Sequence, residues 1–146
     1  MLIFAANDIE RLQLSLWAGE RIPAVGDLGF GECQAAGVLR RGALAAAVIF
    51  HEWQPRARTL QLSMAADTPQ WATRDVIRGL FRYAFCDAGA HKLWTAMPAA
   101  NERAIRFNLG VGFKREATLR HHFGPGAHAV ICSMLEREWR HSRWAR

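Results

Sequence analysis

The feature that most restricts the fold is a change of hydrophobic period just after Ala66. Leu60, Leu62, Met64 and Ala66 alternate with Gln61, Ser63 and Ala65, the two-residue period of a strand. Beyond Asp67-Thr-Pro-Gln-Trp71 the spacing becomes helical. Val76, Ile77, Leu80, Phe81, Ala84 and Phe85 fall on one stripe, with Arg74, Arg78 and Arg82 at i, i+4 and i+8 on the polar side. Gly89 ends that helix, Lys92 to Met97 reads as a second strand, and Pro98 breaks it. A strand–helix–strand passage crosses with a right hand, so residues 60–66 and 92–97 are predicted to be parallel neighbours in one sheet. Such a unit leaves a natural ligand site at the helix start that follows Ala66.

The flanking segments fill in the rest. Asn7-Asp-Ile-Glu10 resembles a capping box, and Ile9, Leu12 and Leu16 follow at i, i+3 and i+7 beside Trp17, predicting a helix over 8–18. Gly19 to Gly31 is glycine-rich and reads as a loop. Residues 34–40 and 43–53 are strand-like and joined by Arg41-Gly42, and Gln54-Pro55-Arg56 is the next turn. Asn101 is a good cap for a short helix reaching Leu109. Residues 113–123 and 127–135 are predicted strands around Gly124-Pro125-Gly126, and 136–146 form a basic, tryptophan-containing end expected to be solvated. The order is β-α-βββ-α-β-α-ββ, a mixed α/β sheet with helices on its faces, in one domain over 1–146.

Composition narrows the chemistry. No apolar run approaches the ~20 residues that span a bilayer, and the first residues lack a basic leader pattern, so a cytoplasmic protein without a membrane partner is expected. Cys33, Cys86 and Cys132 are far apart and include no CxxC pair, which argues against zinc and disulfides. His121 and His122 are adjacent, so on a strand they point to opposite faces and do not chelate together; no metal is expected. The net charge of +6 attracts anions, whether nucleic acid, acidic lipid or a phosphorylated cofactor. Arg137, Arg140, Arg143 and Arg146 interleave with Trp139 and Trp144, the one feature that points toward nucleic acid. A solvated end explains it as well, and nucleic acid is not the expected partner.

The segment from Asn101 to Glu116 then supplies a family. Asn101, Ala104, Phe107, Val111, Gly112, Phe113 and Glu116 closely resemble the GNAT acetyltransferase pattern N-x-x-A-x-x-hydrophobic-Y-x-x-hydrophobic-G-F-x-x-E. Trp71 with the helix from Arg78 to Phe85, and Leu119-Arg120 with the stretch from Met134 to Trp139, are similar to the branch that includes ribosomal-protein N-terminal acetyltransferases. The resemblance covers about residues 60–139, and the element order extends it over nearly the whole chain.

This resemblance implies acetyl-CoA held between two parallel strands that splay apart. Splaying leaves strand-edge groups that must find partners, and those of Met64, Ala65 and Ala66 would bond the pantetheine arm. The pyrophosphate would sit at the next helix N-terminus, on Trp71, Ala72, Thr73, Arg74 and Asp75, with Arg78 toward the adenosine phosphate and Asn101 and Asn108 also near the cofactor. Trp94, with Trp71, is expected to line the cofactor or acceptor channel. Two positions depart from the pattern. Gln70-Trp-Ala-Thr-Arg74 contains none of the glycines usual in the phosphate loop, so Thr73 and Arg74 have to compensate. Asn108 stands where a tyrosine often reprotonates the departing thiolate. The base that deprotonates the acceptor is open among Glu52, His51, Asp67 and Glu116. The expected acceptor is a primary amine, on a small molecule or a peptide N-terminus. A non-catalytic acyl-CoA-binding module of the same fold is the alternative, and a homodimer is compatible with either.

Overall fold

A computed structural model describes residues 1–22 and 29–146, so part of the predicted loop Gly19–Gly31 lies outside the described residues. The strands are β1 (Leu2–Phe4), β2 (Cys33–Arg40), β3 (Ala43–Gln54), β4 (Thr59–Ala66), β5 (Lys92–Pro98), β6 (Lys114–Leu119) and β7 (Ala129–Leu135). The helices are α1 (Asp8–Gly19), α2 (Arg74–Arg82), α3 (Glu102–Val111) and α4 (Glu136–Arg140). A 3-10 turn (Pro69–Trp71) precedes α2, and a wide π turn (Tyr83–Asp87) continues it. Among the described residues the seven strands form one sheet in the order β1-β2-β3-β4-β5-β7-β6, in which only β4 and β5 are parallel.

Local sequence explains the main turns. Arg41 and Gly42 have φ of 53° and 78°, the paired positive angles of the tight hairpin whose twist matches its strands. Gly112 has φ 120° and ends α3, which turns the next residue, Phe113, into the core.

The sheet has a different core on each face. Phe50, Leu60, Leu62, Trp71, Phe81, Phe85, Leu93, Phe113, Trp139 and Trp144 belong to the larger one, built with α2. On the other face α1 packs through Ala18, Leu14 and Trp17 onto Ala35, Ala47, Ile49, Ala65 and Phe30. The apolar stripe expected of α1 is therefore not the one it buries. Ile9, Leu12 and Leu16 are 70%, 59% and 59% exposed. The helix is phased by Asn7, whose side chain caps Glu10 N, and that phase turns Leu14, Trp17 and Ala18 to the sheet instead.

Two further expectations change. The strand predicted over 113–123 stops at Leu119, because His121 and His128 accept backbone N–H bonds from Gly126 (2.8 Å) and His121 (2.9 Å) and fold 120–128 into a wider turn. The basic end is not a solvated tail. Trp139 stacks on Phe85 at 5.3 Å, and the Trp144 indole N–H donates to Val111 O at 2.7 Å. The tryptophans close the larger core while the arginines face water.

Candidate active site

β4 and β5 pair at three positions only, Thr59 with Lys92, Leu60 with Leu93 and Gln61 with Trp94. β4 stays paired with β3 as far as Ala66, and β5 with β7 as far as Pro98, so the two central strands part beyond Gln61 and Trp94. Hydrogen-bonding direction alternates along an antiparallel pair, which fixes the groups that face the gap. Asp67 N donates to Ala45 O at 2.9 Å, so Ser63 and Ala65 bond β3 while Leu62, Met64 and Ala66 turn N–H and C=O to the gap. On the far side, Ala99 N donates to His128 O and Glu136 N to His91 O. That phase leaves Ala96 and Pro98 facing β4. Pro98 has no N–H, and at this unpaired edge it breaks no ladder bond. The Met64, Ala65 and Ala66 edge of the sequence reading thus divides: Met64 and Ala66 present backbone groups to the gap, and Ala65 presents its own to Ala47.

The α2 N-terminus lies just past the end of β4. Thr68 Oγ accepts Gln70 N, and Trp71 N and Ala72 N make long 3-10 bonds of 3.5 and 3.4 Å. Thr73 caps the helix, accepting Val76 N on its hydroxyl oxygen at 3.4 Å. Among the described residues the N–H groups of Arg74 and Asp75 have no such partner. The free donors are therefore fewer than the Trp71-to-Asp75 run expected, because the N–H groups of Trp71, Ala72 and Thr73 are already bonded, that of Thr73 to Trp71 O at 2.9 Å. Trp71 is buried in the larger core, 5.5 Å from the ring of Phe107 on α3. Its indole fixes the glycine-free loop from below and does not line an open channel. Arg74 is exposed, and Arg78 is half-buried with its Nε enclosed and without a partner. Two unengaged N–H groups at a positive helix end, one free guanidinium and one enclosed guanidinium nitrogen suit a polyphosphate.

The remaining candidates separate by their contacts. Asp67 takes both its carboxylate oxygens to Arg21, at 2.8 and 3.2 Å, and Arg21 also lies 3.5 Å over the Trp17 ring. The hydrogen bond to Asp67 raises the Arg21 pKa, and the pair ties the end of α1 to the end of β4. Asn108 donates its amide to Ala104 O (2.8 Å) and Met97 Sδ (3.2 Å), which leaves only its carbonyl oxygen free. Glu116 is bound to Lys92 at 2.8 Å, across β7, and is structural. Asn101 caps α3 through Ala104 N at 3.2 Å. Glu52 sits at a bulge with φ 56°, exposed, 4.0 Å from His51 Nδ1.

His51 is a buried polar group on the α1 face of β3. Its Nε2 lies 2.8 Å from Ser63 Oγ, its Nδ1 is enclosed without a hydrogen bond, and Phe30 meets its ring edge-on at 5.2 Å. Burial pushes its pKa down, against a smaller opposing effect of Glu52. Nothing in the sequence marks Ser63 as a partner, since the two residues are twelve apart and meet only through the β3–β4 register. Trp94 is half-buried on the same face, the face opposite α2, and joins neither core.

No family model matches the sequence, and neither does any curated protein. Solved structures match its shape. A protein provisionally described as an acetyltransferase superposes with a TM-score of 0.68 at 25% identity, over 77% of this chain and 61% of its own. Another acetyltransferase, described in the same provisional terms and from T. thermophilus, gives 0.64 at 23% identity, over 75% and 62%. The spermidine/spermine N-acetyltransferase SpeG of Vibrio cholerae, in mutant form, gives 0.73 at 15% identity over 95% of this chain and 97% of that one. The chain spans about three-fifths of the length of the first two. The fold is that of the GNAT-type acetyltransferases, and the structural neighbours are acetyltransferases.

Proposed function

We propose that the protein transfers an acetyl group from acetyl-CoA to a primary amine. The observation that carries this is the gap between β4 and β5, which opens beside an α2 N-terminus with unengaged donors. Backbone groups of Met64 and Ala66 would hold the amide-bearing arm of the donor. Thr73, Arg74 and Arg78, with the Asp75 N–H, would take its phosphates. Acetyl-CoA supplies an activated thioester whose thiolate leaves readily, so the chain need only align the carbonyl, bond its oxygen and accept the amine's proton. The likeness to a spermidine/spermine acetyltransferase supports a small amine as acceptor; a peptide N-terminus is the other arm of the test.

Calorimetry with acetyl-CoA followed by thiol release over a panel of polyamines, monoamines and short peptides checks the proposal. Binding with no thiol release on any acceptor would favour the non-catalytic module, for which the glycine-free loop and the occupied Asn108 amide speak. No binding at millimolar acetyl-CoA removes both. Arg74→Ala should weaken cofactor affinity about 10- to 150-fold, the range of one charge-assisted phosphate contact, and an unchanged affinity would place the phosphates elsewhere.

A further inference from the structure

We infer that the acceptor amine enters the gap from the α1 face and gives up its proton to Ser63, which passes its own to His51. This rests on the acetyl-transfer reading and adds to it a direction of approach and a proton acceptor.

The two faces of the gap differ in what they offer. On the α2 side, Leu62, Leu93 and Met97 belong to the aromatic core, and Met64 packs against it. A side chain's face alternates along a strand, so Gln61, Ser63 and Ala65 of β4 and Trp94 and Ala96 of β5 look the other way. The core under α1 takes in β2, β3 and Ala65 but no residue of β5, and Trp94 and Ala96 stay half-buried. Small side chains and one indole thus line this side of the gap. With the donor's phosphates at the α2 N-terminus, its carbonyl would be open to this side of the gap. Ser63 stands there where the strands have already parted.

His51 is suited to accept a proton through Ser63. Glu52 lies nearest Nδ1, at 4.0 Å, which favours the tautomer with hydrogen on Nδ1. Nε2 then accepts the Ser63 hydroxyl at 2.8 Å and leaves the lone pairs of Oγ for the amine. The step balances. An amine N–H bond breaks as the proton joins Ser63 Oγ, and the Ser63 O–H bond breaks as its proton joins His51 Nε2. The amine enters neutral and forms the C–N bond with its own lone pair, so the N–H proton that Ser63 takes is the one on the positively charged nitrogen of that adduct. The C–S bond then breaks with its electrons leaving on the CoA thiolate. His51 ends as imidazolium beside the Glu52 carboxylate. The titratable groups around it are Glu52 on β3 and Cys33 opposite it on β2; β4 contributes Ser63 and Gln61, and the segment before β2 contributes Phe30. Burial pushes the imidazole toward its neutral form, the state that can take a proton.

The test is kcat against pH at saturating acetyl-CoA and amine for the wild type, Ser63→Ala, Ser63→Thr and His51→Gln, with cofactor affinity measured in parallel. The wild type should show an acidic limb below pH 6.5. Ser63→Ala and His51→Gln should lose about 10²- to 10⁴-fold in kcat, the usual range for acid–base catalysis, with acetyl-CoA affinity unchanged, and Ser63→Thr should recover most of it. His51→Gln should also lose the acidic limb. If Ser63→Ala keeps kcat within twofold of wild type with the same limb, the relay is wrong while acetyl transfer stands. A wild type that never releases thiol overturns acetyl transfer itself. Should His51→Gln not fold, Ser63→Ala and the ¹⁵N shift titration of the wild-type imidazole decide: a His51 that stays protonated at pH 7.5 overturns the relay.

Discussion

The two faces of the sheet are filled by opposite means. Beneath α2 the core is made of rings: Phe81 lies 6.2 Å from Phe85, 5.8 Å from Phe113 and 6.5 Å from Trp144, and Phe85 stacks on Trp139. Beneath α1 it is made mostly of alanines, and Gly37 brings the chain so close that an added Cβ would meet Leu44 at 2.9 Å and Leu14 at 3.1 Å. Each aromatic side chain buries roughly 150–250 Å², and at about 25 cal/mol per Å² the ring face contributes most of the stability. The alanine face contributes less area but admits the helix closely, and it is where His51 and Ser63 sit. Along the gap one face is packed with large apolar side chains, and the other carries the smaller Ser63, Ala65 and Ala96.

Truncating a ring tests the first half of this comparison with the largest expected effect. Phe81→Ala should lower the unfolding free energy by about 3–5 kcal/mol in urea titration, since a buried ring leaves a cavity that its neighbours cannot fill. A loss below about 1 kcal/mol would mean that the ring face is not the main support. Enlarging a residue on the opposite face tests the second half. Ala47 is fully buried, and Ala47→Leu should cost about 1–3 kcal/mol by overpacking. If the variant keeps wild-type stability, the alanine face is looser than its geometry indicates.

The same division explains what was legible in the sequence. The periodic runs of β4, α2 and β5 announced the crossover because burial on one face imposes a period. The stretch from Asn101 to Glu116 carried the family resemblance, and four of its residues make architectural contacts. Asn101 caps α3, Gly112 ends it at φ 120°, Phe113 enters the ring core and Glu116 binds Lys92. The gap itself left no such trace. Its donors are backbone groups of Met64 and Ala66 and the N–H groups of Arg74 and Asp75, which any side chain could accompany. The pairing of His51 with Ser63 depends on strand register, which spacing alone does not supply. The apolar spacing of Ile9, Leu12 and Leu16 correctly predicted a helix but not its buried face, because that face is set by the cap at Asn7 and by the small residues opposite it. The tryptophans of the last segment were hidden by the arginines between them.

On each face a charged pair joins two elements, and pH separates these two pairs. On the alanine face Arg21 clasps Asp67; both lie near the surface, and screening makes such a pair worth little. On the ring face Glu138 bonds Lys114 and accepts Leu135 N at 2.9 Å, and these two hydrogen bonds, the lysine's first, hold its pKa below the usual carboxylate value. A depressed carboxylate adds stability that is complete above its unfolded pKa, near 4.3, and is lost as pH falls through the folded value. The wild type should therefore lose about 1 kcal/mol from this site between pH 5 and pH 3, the usual scale of a helix-start hydrogen bond. Glu138→Gln should start lower by that amount at pH 7 and show a flatter acid limb. Equal acid slopes for wild type and variant would show that the α4 clasp adds nothing and that the rings alone hold the last segment.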